Sequence, residues 1–139
     1  GPGDVQWMTA ASGVVHEEMH ETTWAKQGGT FQAIQLWVNL PKMQKMSAPR
    51  YQTLLNADIP AIELEHGAGR VRVIAGSFQG HKGPARTFTP VELYDLHVRS
   101  GARLELTLPE GHHTSVFVLE GRVSVNGSAP AEEADLVVL

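Results

Sequence analysis

Apolar and polar positions alternate with a period of two in segment after segment of this chain, and hardly anywhere with the period of a helix. On a strand, successive side chains point to opposite faces, so alternation of this kind predicts strands with one covered face. A Pro2-Gly3-Asp4 turn leads into an expected strand over Val5–Thr9. A loop of small residues, Ala10 to Gly13, separates it from a second expected strand that carries His16 and Glu18. Residues 31–40 alternate next: Ile34, Leu36, Val38 and Leu40 form an apolar face, Gln35, Trp37 and Asn39 a mixed one, and Pro41 stops the run. Residues 42–60, with Pro49 and Pro60, predict a long loop with one short helical turn near Tyr51–Asn56.

Further strands are expected at Val71–Ala75, Glu92–Arg99, Arg103–Leu108, Val116–Leu119 and Leu136–Leu139. Ser100-Gly101 and Pro109 to Gly111 mark turns, and Glu120-Gly121 and Asn126-Gly127 carry hairpin signals. Strands about every eight to twelve residues, with Gly and Pro between them, predict an all-β sandwich or barrel. The strands fall into two blocks, about 1–40 and 61–139, joined by the proline-bearing loop.

Composition narrows the function classes. A chain of 139 residues is long enough to bury a core, and 42% hydrophobic with 19% charged residues is ordinary globular composition. Net charge is −4 and no basic tract is present, which argues against direct nucleic-acid binding. No apolar run has the length of a membrane span. Cysteine is absent, which removes thiolate metal sites and thiol nucleophiles. That composition suits a reducing compartment, and a cytoplasmic location is expected. The chain opens on a turn without an initiator methionine, so we expect it to be part of a longer protein; a tag remnant would also explain Gly1 and Pro2.

His16 and Glu18 are the strongest chemical signal. Two residues apart on a strand, they share a face and stand about 6–7 Å apart, close enough for an imidazole and a carboxylate to meet at one metal ion. On a helix the pair would diverge. Two ligands do not complete a catalytic site, since non-haem Fe(II) oxygenases use two histidines and one carboxylate. His20 shares the face but lies about 13 Å from His16 along an extended strand, where a bend after Met19 would bring it back to a supporting position. The same H-x-E pair on a solvated face has no chemical task, so the surrounding pattern decides. Of the other histidines, His66 and His81 fall in expected turns and His97 on a strand beside Asp95. Arg70, Arg72 and Arg86 form no tract and read as a solvated face. Trp7 and Met8 read first as plain core, with a place beside Gln6 near a pocket wall as the other reading. Phe31 and Trp37, which share a face, read as core aromatics or as barrel lining.

PGDVQWMTA (Pro2–Ala10), GVVHEEM (Gly13–Met19), QLWVNLP (Gln35–Pro41) and PRYQ (Pro49–Gln52), in that order, resemble the pirin family. The resemblance implies a bicupin, two jelly-roll β-barrels with one metal in the N-terminal barrel. Residues 1–60 would be the C-terminal half of that barrel plus the linker, and 61–139 the N-terminal part of the second. Both barrels would be incomplete in this chain. Carried over, His16 and Glu18 are the metal ligands. The family's other two histidines, from an H-x-H motif, would lie before Gly1. Gly101–Gly127 resembles the opening of a second cupin barrel, but its histidines, His112 and His113, are adjacent. Adjacent residues face opposite ways on a strand, so a metal-free second barrel is expected.

The implied activity is that of a quercetin 2,3-dioxygenase. Fe(II) or another divalent ion and O2 would act on a flavonol-like aromatic substrate, with Glu18 as ligand and catalytic base. This chain alone is expected to be inactive. The alternative is a metal- or redox-responsive regulator acting through protein partners. Open barrel edges would call for a homodimer or a retained complementary fragment.

Overall fold

In the computed structural model, which describes every residue from Gly1 to Leu139, eleven short strands form five small antiparallel sheets, none of them closed. The chain divides into two compact units, residues 1–103 and 104–139.

The first unit begins with β1 (Val5–Thr9), which pairs with β2 (Arg50–Leu54). Val5, Trp7 and Thr9 stand opposite Leu54, Gln52 and Arg50, so these six side chains share one face of the ribbon. The turn before β1 is tied down at each of its last two residues. The Asp4 carboxylate accepts the Asn56 backbone N–H at 2.8 Å, and the Gly3 carbonyl accepts a hydrogen bond from Arg72. Gly3 has φ +79°, and a Cβ there would lie 2.7 Å from Asn56 Oδ1, so both backbone conformation and space select glycine.

A three-stranded sheet follows: β3 (Ala61–Glu63), β4 (Gly69–Ala75) and β7 (Leu93–Val98), with β4 central. Between β4 and β7 lies a small hairpin of β5 (Ser77–Phe78) and β6 (His81–Lys82). Val71 and Val73 of β4 are fully buried. Leu54, Ile59, Ile74, Ala75 and Ala85 form the core, with Val5, Trp7, Val91 and Leu93 packed against it. Residues on both sides of Pro60 therefore bury their apolar surface in the same core.

The second unit is a single long ribbon with an interruption. β8 (Ser115–Phe117) pairs with β11 (Leu136–Val138), and β9 (Arg122–Val123) with β10 (Ala131–Glu132). Between these ladders, Val118 and the Ala134–Asp135 backbone stay hydrogen-bonded, and Ala134 takes φ +70°. The ribbon closes at Val125–Ser128, where Asn126 and Gly127 both have positive φ and Ser128 N–H bonds to the Val125 carbonyl at 2.9 Å. That is the hairpin geometry the Asn-Gly pair predicts. Glu120-Gly121 does not reverse the chain; it sits in the interruption.

Several expectations are corrected. Residues 13–19, 31–40 and 103–108 form no strands. An extended segment becomes a strand only when a neighbouring strand pairs with it in a regular ladder, and no ladder includes these segments. Leu104, Leu106 and Leu108 are nevertheless half-buried while residues 103, 105 and 107 are exposed, as the alternation predicts. Residues 50–54, expected in a loop, are strand β2 because β1 pairs with them. Arg72 is buried rather than solvated, on the polar face of β4. One short helix, α1 (Thr22–Gln27), was not expected. The Glu21 carboxylate caps it, accepting the N–H groups of Thr23 and Trp24 at 2.9 and 2.7 Å, and Gly28 ends it. No helix is long and apolar enough to cross a membrane.

Candidate metal centre

β1 delivers the chain to the stretch that bears the candidate ligands. After Thr9 a tight turn closes with the Gly13 N–H on the Ala10 carbonyl at 2.8 Å, and Ser12 N–H reaches the Ser47 carbonyl at 3.2 Å. His16 and Glu18 follow, both exposed. The chain then reverses through α1 and returns along residues 31–40.

Two side-chain contacts hold the outgoing and returning stretches together. His20, Trp24 and Phe31 form a three-ring cluster: the His20 ring centroid lies 4.9 Å from Trp24 and 5.0 Å from Phe31. Trp24 and Phe31 are 5.7 Å apart. Rings at these separations and tilts attract by edge-to-face electrostatics as well as by contact. Two residues before His20, Glu18 Oε1 accepts a hydrogen bond from Gln35 Nε2 at 3.4 Å. Gln35 belongs to the mixed face expected for residues 31–40, yet nothing in its spacing marks it as a partner for Glu18. His20 is committed to the aromatic cluster.

The Gln35 hydrogen bond to Glu18 and the ring cluster at His20 are the contacts that tie down this stretch. His16 has no comparable anchor. No group of three or more His, Cys, Asp or Glu side chains converges in the chain. His16 and Glu18 offer an imidazole nitrogen and a carboxylate oxygen, the donor types that a divalent ion of the Fe(II) class accepts. Two donors fall short of the three or four that hold such an ion, so this chain by itself does not complete a metal site.

A separate open cleft of about 460 Å3 lies between Ala11 and the Trp37–Leu40 stretch, with Lys45 and Met46. Lys45 Nζ donates to Asn39 Oδ1 at 2.7 Å and so fixes one wall. Trp37 is 91% exposed, so it is neither core nor a closed pocket wall here. Trp7 belongs to the core, and its indole N–H donates to the Arg86 carbonyl at 3.1 Å. Met8 points to the opposite, exposed face of β1. His97 lies beside Asp95, with Nε2 3.5 Å from Oδ2.

Comparison with known proteins decides the family. Residues 1–38 match the family model described as "Pirin". The whole chain is 51% identical, over 139 residues, to a Pseudomonas aeruginosa protein named "Putative quercetin 2,3-dioxygenase PA2418" and covers 48% of it. It is 40% identical over 126 residues to "Pirin-1" of Arabidopsis thaliana, covering 91% of this chain and 41% of the relative. The chain belongs to the pirin family. The crystal structure of a quercetin 2,3-dioxygenase from Acinetobacter baumannii superposes with a TM-score of 0.94 at 46% identity, over 98% of this chain and 47% of that one. Similarity at that level establishes a cupin-type β fold for this pirin chain. The chain spans a little under half the length of these relatives.

Proposed function

We propose that this pirin chain contributes His16 and Glu18 to the metal centre of a quercetin 2,3-dioxygenase-type oxygenase acting on a flavonol-like aromatic with O2. The observation that carries the reading is the H-x-E pair itself. It lies inside the stretch matched by the pirin family model, directly after β1, with Glu18 held by Gln35. The names of the relatives support the reaction class. The remaining ligands would come from the part of the protein outside this chain.

Bound there, a divalent ion of the Fe(II) type would leave positions open for substrate and oxygen. The chain's own contribution is to present one imidazole and one carboxylate. The Gln35 amide donates to Glu18 Oε1. With the other oxygen serving the metal, Oε1 would keep a second lone pair to take a proton from an aromatic hydroxyl within hydrogen-bond reach.

The test uses the full-length protein, purified anaerobically and loaded with Fe(II). Stoichiometric metal and quercetin-dependent O2 uptake, both lost in His16→Ala and in Glu18→Ala, support the reading. Metal bound equally well by both variants overturns the ligand assignment. Metal bound without O2 uptake for any flavonol turns the function toward regulation through protein partners.

A further inference from the structure

The face that β1 and β2 share changes character along its length. Val5 and Leu54 at one end are packed in or against the core. Trp7 stands opposite Gln52 in the middle, and Thr9 opposite Arg50 at the far end. The polar end opens into a cleft of about 230 Å3 lined by these four residues together with Tyr51 and Arg86. Two arginines therefore line one small cavity, and no aspartate or glutamate does.

The cleft is built rather than incidental. The backbone of Arg86 is fixed on both sides: its N–H donates to Gln52 Oε1 at 2.8 Å, and its carbonyl accepts from Trp7 Nε1 at 3.1 Å. The Gln52 amide also donates to the Pro84 carbonyl at 3.4 Å. Two side chains of the ribbon thus clamp the segment that carries Arg86. Arg50 is placed differently, its guanidinium carbon lying 5.2 Å from the centroid of the Phe88 ring. A cation over an aromatic face is held without being neutralised. Thr9 at the base is buried, whereas both arginine side chains are exposed.

Neither arginine has a carboxylate partner. Arg50 and Arg86 take no part in the ion pairs formed by Arg72, His97, Arg122 and the N-terminus. Two like charges at one cavity raise its potential, and an anion entering there relieves the repulsion and gains both attractions. Guanidinium groups match carboxylate and phosphate oxygens with paired N–H donors. The volume lies below the roughly 300–1,000 Å3 of drug-sized ligand pockets, so the guest is small.

We propose that the cleft between β1, β2 and the Pro84–Arg86 segment is a binding site for a small oxyanion, a carboxylate or a phosphate, held by Arg50 and Arg86. Neither His16 nor Glu18 lines it, and it needs no metal. Trp7, on the same face as Gln52 and Arg50, gives a carboxylate with an attached ring an aromatic edge that free phosphate would not use.

The test is calorimetric titration of the metal-free full-length protein with sodium benzoate and with sodium phosphate, at constant ionic strength against sodium chloride. Saturable binding of either anion beyond the chloride control supports the site. Benzoate alone identifies a carboxylate ligand, and phosphate alone identifies a phosphate ligand. Arg50→Gln and Arg86→Gln are each expected to weaken binding about tenfold or more, as loss of a charge-assisted hydrogen bond does. Binding of neither anion by the unmodified protein overturns the proposal, whatever the variants do. So does binding that folded Arg50→Gln and Arg86→Gln proteins retain at full strength.

Discussion

Arg72 and Asp95 stand directly opposite each other on β4 and β7, with Arg72 Nη1 2.7 Å from Asp95 Oδ2. The same guanidinium donates to the Gly3 carbonyl, so one buried side chain joins the three-stranded sheet to the turn that opens the chain. Removing it leaves a partly buried carboxylate without its cation and a carbonyl without its donor. Arg72→Met is expected to destabilise the protein by about 3 kcal/mol, the lower end of the range for broken buried pairs, because Asp95 keeps some solvent. Urea unfolding measures it. Arg72→Lys should recover only part of the loss, since one ammonium does not reproduce the fork that spans Asp95 and Gly3.

Gly69 opens β4 with φ +143°, and a Cβ there would lie 1.9 Å from the His97 carbonyl oxygen. The obstacle is backbone of the neighbouring strand, which cannot rotate away. Gly69→Ala is therefore expected to cost at least about 2–3 kcal/mol, combining strained conformation and overpacking. At Gly76, φ +80°, the clash is instead with the Glu92 side chain, which can turn away by giving up the hydrogen bonds it accepts from Ser77 and Tyr94, so Gly76→Ala should be milder in the same thermal melts.

Where the sequence carries its own partner, the fold is legible in it. Val5–Thr9 and Val71–Ala75 are strands as expected. Leu136–Val138 is a strand as its apolar run predicts, although Leu136 and Val138 are exposed rather than buried, and Asn126-Gly127 turns as its dipeptide predicts. Residues 50–54 were not legible as a strand, because only pairing with β1 makes them one. Arg72 was unreadable for a related reason: the residues that neutralise it come from Gly3 and Asp95, far apart in sequence. The candidate ligands His16 and Glu18 are visible by spacing and resemblance. Gln35, which holds Glu18, depends on a reversal set by a six-residue helix whose length is too short to leave a periodic signal.

Tyr94 gives the protein an alkaline limit. Its hydroxyl hydrogen-bonds to the Glu92 carboxylate and lies 2.7 Å from the Ser77 carbonyl. Burial, then the hydrogen bond to Glu92 and its charge, raise the phenol well above its ordinary range. A group whose pKa is raised by folding stabilises fully below its unfolded value, about 10 for tyrosine, and loses that contribution as pH rises toward the folded value. Stability should therefore fall more steeply above about pH 10 in the native protein than in Tyr94→Phe. Thermal melts from pH 8 upward, with phenolate absorbance as a second readout, check this. Parallel curves for the two proteins would count against it.

The contact between Gln35 and Glu18 yields a prediction that separates orientation from ligation. Gln35 is no metal ligand in the proposed centre; its amide donates to Glu18 Oε1, which would leave the other oxygen for a metal. Outer partners of this kind are worth about 10–100-fold in metal affinity. Gln35→Leu in the full-length protein is expected to weaken Fe(II) binding by about that factor. Gln35→Glu, whose carboxylate would repel Glu18 at neutral pH, should weaken it further. His16→Ala should remove binding altogether. Competition with a metal-indicating chelator under anaerobic conditions ranks the variants without any turnover assay. If Gln35→Leu binds as tightly as the native protein while His16→Ala does not, the 3.4 Å contact orients nothing and Glu18 owes its position to the His20–Trp24–Phe31 cluster alone.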